Sequence, residues 1–216
     1  MTDVTLRGGP GAAITAEIEV KRSRFICRLE RVETEDAARA VVDAARREHW
    51  GARHHCSAFI IGPTDAAGQV RRSSDDGEPS GTAGAPMLDT LAGTGLVDTV
   101  AVVTRHFGGV LLGTGGLARA YSDAVANAIR EAPLVARERR ELFRLSLHHA
   151  DAGRVESELR ARGVAVLGVE YAARAELRLA GGGALHEVVA AVTSGAGTLE
   201  GLGHEWVDVD LNSVRR

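Results

Sequence analysis

A chain of 216 residues with 44% apolar and 25% charged side chains can bury a core, and its length suits one large domain or two small ones. No apolar run reaches the roughly 20 residues of a membrane span, and the opening MTDVTLRGGPGAA lacks the basic-then-apolar order of a secretory leader, so no membrane partner and a cytoplasmic location are expected. Residues 1–140 balance 18 basic against 18 acidic side chains and residues 141–216 carry 8 against 11, so the net charge of −3 excludes a strongly basic nucleic-acid binder and leaves any such role to local patches.

Residues 14–20 alternate strictly, with Ile14, Ala16, Ile18 and Val20 on one side and Thr15, Glu17 and Glu19 on the other, which predicts a half-buried strand. The next stretch, RSRFICRLE, places Phe25, Cys27 and Leu29 on one face and Arg22, Arg24 and Arg28 on the other, either a solvated strand face or a basic stripe for an anionic partner. Thr34 opens a helix with acidic residues in its first turn and Arg46 and Arg47 in its last, and Gly51 is available to close it. Residues 56–62 form an apolar strand, and Cys27 and Cys56 form no pair motif. Residues 71–86 are rich in turn formers and read as a loop, followed by a short helix over 86–92. The run TVAVV, 99–103, is continuous and β-branched, as a buried central strand should be.

After a glycine-rich stretch, Leu117, Tyr121, Ala124, Val125 and Ala128 recur at helical spacing until Pro133. The charged ARERRE segment, 136–141, marks a domain boundary, giving domains 1–137 and 138–216. Beyond it the pattern predicts strand 141–148, helix 151–162 capped by Asp151 and stopped by Gly163, strands 164–170 and 174–180, helix 183–193 and strand 204–211. This βαββαβ order is the ferredoxin-like arrangement.

Two loops carry the chemistry. RHFGGVLLGTGGLARA, 105–120, is no P-loop, since no Gly-Lys-Ser/Thr follows the glycines. Gly113, Gly115 and Ala118 fit the dinucleotide fingerprint, but the long loop after Thr104 and the absence of a second parallel strand after the helix exclude that reading. What remains is either an anion cradle at a helix start, flanked by Arg105 and Arg119, or a turn that needs glycine for close packing. In SSDDGEPSGTAG, 73–84, Asp75, Asp76 and Glu78 are either magnesium ligands or acid–base groups, or a solvated acidic turn. His54, His55, Cys56 and His106 match no zinc spacing, neither HEVVA nor HEWVD completes H-E-x-x-H, and no metal site or cofactor is assigned.

Together SDDGEPSGTAGAPML and AVVTRHFGGVLLGTGGLARAY resemble the YigZ/IMPACT family, as do KRSRFIC, ARHHCSAFIIG and the C-terminal βαββαβ block, so the likeness spans nearly the whole chain. The resemblance implies an α+β, two-domain protein: an N-terminal left-handed βαβ fold similar to elongation factor G domain IV and a ferredoxin-like domain similar to its domain V. Eukaryotic IMPACT proteins regulate translation by competing for the activator of a stress kinase, which implies a translation-linked regulator, more a binding protein than an enzyme. The signature positions are Asp75, Asp76, Gly77, Glu78, Pro79, Gly81, Thr82, Gly84, Arg105, Gly108, Gly109, Gly113 and Gly115. The chain departs from the family at His106, where an aromatic precedes Phe107 in relatives, and at Ala85, where lysine is frequent.

Three readings follow. In the first, a non-enzymatic module binds the ribosome, RNA or a translation protein through Arg105, His106, Phe107, Gly108, Gly109, Gly113, Gly115, Gly116 and Arg119, with Asp75, Asp76 and Glu78 beside them. It expects Arg105 and Arg119 to share a face with Arg22, Arg24 and Arg28. In the second, an enzyme binds a nucleotide or other phosphorylated small molecule at the glycine loop, with magnesium on Asp75, Asp76 or Glu78. In the third, the loops bind only protein.

Overall fold

A computed structural model describes residues 2–64 and 68–211. The chain divides into two compact units, Met1–Ala136 with Asp210–Arg216, and Arg137–Val209. The first holds β1 (Val4–Leu6), β2 (Ala13–Val20), β3 (Ser23–Arg31), α1 (Glu35–Glu48), β4 (His54–Ile61), β5 (Val70–Ser74), α2 (Gly84–Gly93), β6 (Thr99–His106) and α3 (Thr114–Glu131). Its antiparallel sheet has the order β2-β3-β6-β4-β5, so the β-branched run of β6 sits in the middle, buried on both faces.

The alternation of β3 and β6 sorts side chains onto two helical layers. Phe25, Cys27, Leu29, Ala101 and Val103 face α2 and α3, packing on Met87, Leu91, Leu117, Tyr121 and Val125. Val100, Val102 and Phe59 face the other way, onto Ala38, Val41 and Ala45 of α1. Thr34 caps α1, its Oγ1 accepting from the Ala37 N–H at 3.1 Å. Gly51 does not close that helix: His49 is its C-cap, with φ −113°. The stretch 71–86 is not all loop either. Arg71–Ser74 belong to β5, paired in register with β4 from Ile61↔Val70 to Ser57↔Ser74; an edge strand with one solvated face tolerates the polar sequence that reads as a turn. α3 begins at Thr114, one turn earlier than its apolar spacing suggests.

The second unit takes β7 (Leu134–Leu147) from Arg137 onward, then α4 (His149–Ala161), β8 (Ala165–Tyr171), β9 (Ala175–Gly181), α5 (Leu185–Val192) and β10 (Leu199–Val209). β10 pairs with β7, β7 with β9 and β9 with β8, the strand order of a ferredoxin-like sheet. Leu145, Leu177, Leu179, Leu159 and Val189 form its core. The charged segment 136–141 is strand rather than irregular linker: Val135 and Ala136 pair with β1, and Glu141 onward pairs with β9. Asp151 lies in the first turn of α4 without capping it, whereas Gly163, with φ +78°, terminates it. Among the described residues no helix is long and apolar enough to cross a membrane.

Candidate functional site

The register of the first sheet gathers both signature loops at one end. His54, the first residue of β4, lies opposite Arg105; Arg24 lies opposite His106; and the β2–β3 hairpin turns between Val20 and Ser23. The end of β6 therefore meets the hairpin turn, the segment 49–53 that leads from α1 into β4, and, through residues 107–113, the start of α3.

The acidic loop at this end is held by its own carboxylates. Asp75 Oδ1 accepts from the Ala83 and Gly84 N–H groups at 3.0 and 2.8 Å, and Oδ2 from the Gly81 N–H at 2.8 Å. Burial works against its charge, but these three donors outweigh it and hold the carboxyl below the usual carboxylate range. Asp75 thus serves the start of α2, which has no side-chain cap of its own. Asp76, at φ +42°, accepts from the His55 N–H at 2.6 Å and from Arg46 Nη2 at 2.7 Å, while its carbonyl meets His54 Nδ1 at 2.9 Å. Glu78 is buried; its Oε1 accepts from Arg105 Nη1 at 2.7 Å and from the Tyr121 hydroxyl at 2.8 Å. The three carboxylates diverge to three sets of donors. Among the described residues no group of three or more His, Cys, Asp or Glu side chains is placed to hold a metal ion.

Arg105 is the main correction to the sequence reading. It was expected on an open anion-binding face, yet it is only 6% exposed, ion-paired to Glu78, with its guanidinium carbon 5.4 Å from the Phe25 ring centroid and 5.6 Å from that of Phe107. A guanidinium flanked by aromatic rings and neutralised by a carboxylate holds β6, the acidic loop and α3 together. The basic stripe of β3 is likewise not free: Arg24 donates two hydrogen bonds to Glu17, at 2.6 and 2.8 Å, and Arg28 pairs with Glu30. Arg22 leaves the strand altogether, at φ +66° in the hairpin turn. Hydrogen bonding to Arg24 lowers the Glu17 carboxyl.

The glycines divide by role. A Cβ on Gly108 would stand 1.9 Å from the Arg22 carbonyl oxygen, so this position is glycine because the hairpin backbone crosses it; the Gly108 N–H donates to Ser23 Oγ at 3.2 Å. Gly109 and Gly113 have φ of +86° and +73°. A Cβ on Gly116 would press on Leu112 at 3.1 Å, but one on Gly115 would meet nothing within 4 Å. Gly113 caps α3 with no side-chain hydrogen bond, and the first turn contains no acidic residue. The opening N–H groups of that helix thus face outward with a partial positive charge.

Around this opening Phe107 and Leu111 are exposed, and Arg119 is exposed without an ion-pair partner among the described residues. His106 is half-buried, its ring set edge-on to His49 at 5.8 Å; burial, with His49 and Arg24 nearby, lowers its pKa. His55 is buried against Thr104 Oγ1, and burial lowers its pKa as well. Cys56, behind the acidic loop, is pushed up to about 12 by burial, and burial raises Cys27 too. Sequence reasoning overlooked Tyr121 as more than a core residue, and it overlooked Trp50, which is 87% exposed. A tryptophan in the polar stretch RREHWGARHH was the available signal.

Residues 21–129 match the Impact N-terminal domain, and residues 145–180 match a domain of unknown function, DUF1949. An IMPACT family member of Bacillus subtilis (strain 168), YvyE, is 45% identical over 144 residues, covering 67% of this chain and 65% of that protein. YigZ of Escherichia coli (strain K12), also an IMPACT family member, is 49% identical over 122 residues, 56% of this chain and 59% of its own. The matched stretch thus spans slightly less than two thirds of either relative. A crystal structure described as that of a hypothetical protein superposes with a TM-score of 0.59 at 36% identity, over 92% of this chain and 97% of that one. With its first-domain match extending over half the sequence and both signature loops inside it, the chain belongs to the IMPACT family.

Proposed function

We propose that this protein is a non-catalytic, cytoplasmic regulator that docks on the translation machinery through the end of the first sheet, with a phosphate of its partner seated on the outward N–H groups at the start of α3. The observation that carries this reading is the opening of α3. It has no side-chain cap and no acidic residue in its first turn, and open space lies over Gly113 and Gly115. Family membership supplies the link to translation, as the resemblance of the two loops implies. Lys21 and Arg22, in the hairpin turn against Gly108, and Arg119, in the second turn of α3, are exposed and have no ion-pair partner among the described residues. The magnesium-dependent enzyme is disfavoured, because Asp75, Asp76 and Glu78 are bound to donors of the fold in three directions.

Co-sedimentation with ribosomes of the host, at low and raised salt, tests the proposal with wild type and the Arg22→Ala/Arg119→Ala double variant. Arg105 stays intact, since its removal would damage the fold rather than the surface. Salt-sensitive co-sedimentation that fails in the double variant is expected, each lost phosphate contact lowering the salt slope by about 1. Wild type remaining at the top of the gradient at low salt overturns the docking reading. Co-sedimentation that resists salt and survives the double variant assigns the surface to a protein-only contact.

A further inference from the structure

The segment RREHWGARHH, residues 46–55, stands out in a chain of net charge −3: it carries Arg46, Arg47 and Arg53 against Glu48 alone, with three histidines and the exposed Trp50. Arg46 is tied to Asp76, but Arg47 and Arg53 are exposed and have no ion-pair partner among the described residues. The Trp50 indole, 87% exposed and flanked in sequence by Arg47 and Arg53, leaves a large apolar ring in water. The strand register places this segment at the same sheet end as His106 and Phe107, because His54 opposes Arg105. The edge-on contact of His49 with His106, at 5.8 Å, links the residue before Trp50 to the residue before Phe107. Phe107, 54% exposed, is itself steadied from beneath by the buried Arg105 guanidinium.

The geometry points to a binding surface for single-stranded nucleic acid, on which bases stack against Trp50 and Phe107 while Arg47, Arg53 and Lys21–Arg22 meet the backbone phosphates. Two exposed aromatic faces joined by a histidine pair and bordered by unpaired cations have the composition of a stacking platform. Exposed Val110 and Leu111 follow Phe107, and Trp, Phe and Arg also gather where proteins meet, so a protein is the competing occupant. The exposed cations Lys21, Arg22, Arg47 and Arg53 around the two rings favour a polyanion with bases to stack. A regular duplex keeps its bases stacked on each other and presents neither face to an aromatic side chain. This inference rests on the docking reading and names the chemistry of the partner at that site.

Trp50 reports on its own occupancy. Of the chain's two tryptophans, Trp206 is removed as Trp206→Phe, leaving Trp50 as the sole indole of the full chain. The probe is an unstructured RNA of about 12 nucleotides, within the span such surfaces cover. Saturable quenching of Trp50 fluorescence is expected, with a dissociation constant matching that from anisotropy of labelled RNA. Trp50→Ala and Phe107→Ala should each weaken binding about five- to a hundredfold, and a duplex of equal length should bind less tightly. Trp50 is 87% exposed, so Trp50→Ala should keep the wild-type far-ultraviolet circular dichroism and melting temperature and carries the test. Phe107→Ala also removes a ring from Arg105 and should lower the melting temperature slightly. Absence of quenching, or RNA binding unchanged in Trp50→Ala, overturns the inference. If ribosomes still retain the protein through Arg22 and Arg119 while the RNA does not bind, docking stands and the stacking of bases on Trp50 and Phe107 is overturned. If neither ribosomes nor RNA bind, both readings fall.

Discussion

Replacing Arg105 by methionine separates a structural guanidinium from a ligand-binding one. The Arg105 and Glu78 side chains are 7% and 4% exposed and meet at 2.7 Å, and Glu78 has Tyr121 as its other side-chain donor, at 2.8 Å. Methionine keeps an apolar stem against Phe25 and Phe107 but leaves the Glu78 carboxylate buried with one neutral hydroxyl. Breaking a buried pair from one side costs about 3–5 kcal/mol, a large part of the roughly 5–15 kcal/mol that holds a domain folded. For a unit of this size that is a fall of about 10–20 °C in melting temperature. Adding Glu78→Gln removes the stranded charge, so the double variant should be more stable than Arg105→Met alone. Differential scanning calorimetry is the suitable assay, since two units need not melt together. If Arg105→Met stays within about 0.5 kcal/mol of wild type, the guanidinium faces water and its assignment as a brace is wrong.

The glycine loop gives a paired test. Gly108→Ala should destabilise by about 3 kcal/mol or more, because its Cβ has only the Arg22 backbone to push against. Gly115→Ala, in open space within a helix turn, should leave stability equal or raised by about 0.4–1 kcal/mol; a loss of ribosome binding in that variant alone would mark Gly115 as a point of ligand approach. Acid should weaken the first unit in two stages. His55 and His106 have lowered pKa values, so their contribution is present above the ordinary imidazole value of 6.5 and is lost as pH falls through the folded values; urea titrations should show stability declining in that range, less so in His55→Gln. Asp75, also lowered, contributes above the ordinary carboxylate pKa and loses that contribution at more acid pH, an arm that Asp75→Asn should flatten. Cys56, pushed up to about 12, and the fully buried Cys27 should resist iodoacetamide in the native protein at pH 8 and react in urea; rapid native labelling would contradict their burial.

Much of the fold is legible in the sequence because its core positions obey simple periods. Ile14 to Val20 and Phe25 to Leu29 alternate, Leu117 to Ala128 recur at helical spacing, and both patterns fall on buried faces. The βαββαβ order of the second unit survives for the same reason. What escapes is set by partners distant in the chain. Arg71 and Arg72 look like loop residues because only the pairing of β5 with β4 makes them strand. Arg105 looks like a surface cation because Glu78, which neutralises it, lies 27 residues earlier on a different loop. Asp75 looks like a metal ligand because the amides that satisfy it belong to a helix start with no cap of its own. A charge in sequence carries no sign of whether its counter-charge is water, a ligand or the fold.

That last distinction also sets the electrostatics of the docking end. The acidic motif suggests a negative surface, yet Asp75, Asp76 and Glu78 are turned inward to backbone amides, Arg46 and Arg105, and Glu17 is engaged by Arg24. Glu19 and Glu48 remain exposed at this end, against Lys21, Arg22, Arg47, Arg53 and Arg119. Internal use of carboxylates therefore leaves a local excess of cations on a chain that is acidic overall, beside helix N–H groups with no side-chain partner. Long-range attraction to a polyanion would be weak for such a molecule, whereas contacts within about a Debye length, 8–10 Å at physiological salt, would still favour phosphate. Binding at this end should depend on shape and stacking for its specificity and on only a few charges for its affinity. Reversing Glu19 and Glu48 together to lysine should accordingly raise RNA affinity and steepen its salt dependence, and an unchanged salt slope would show that phosphates do not approach this end of the sheet.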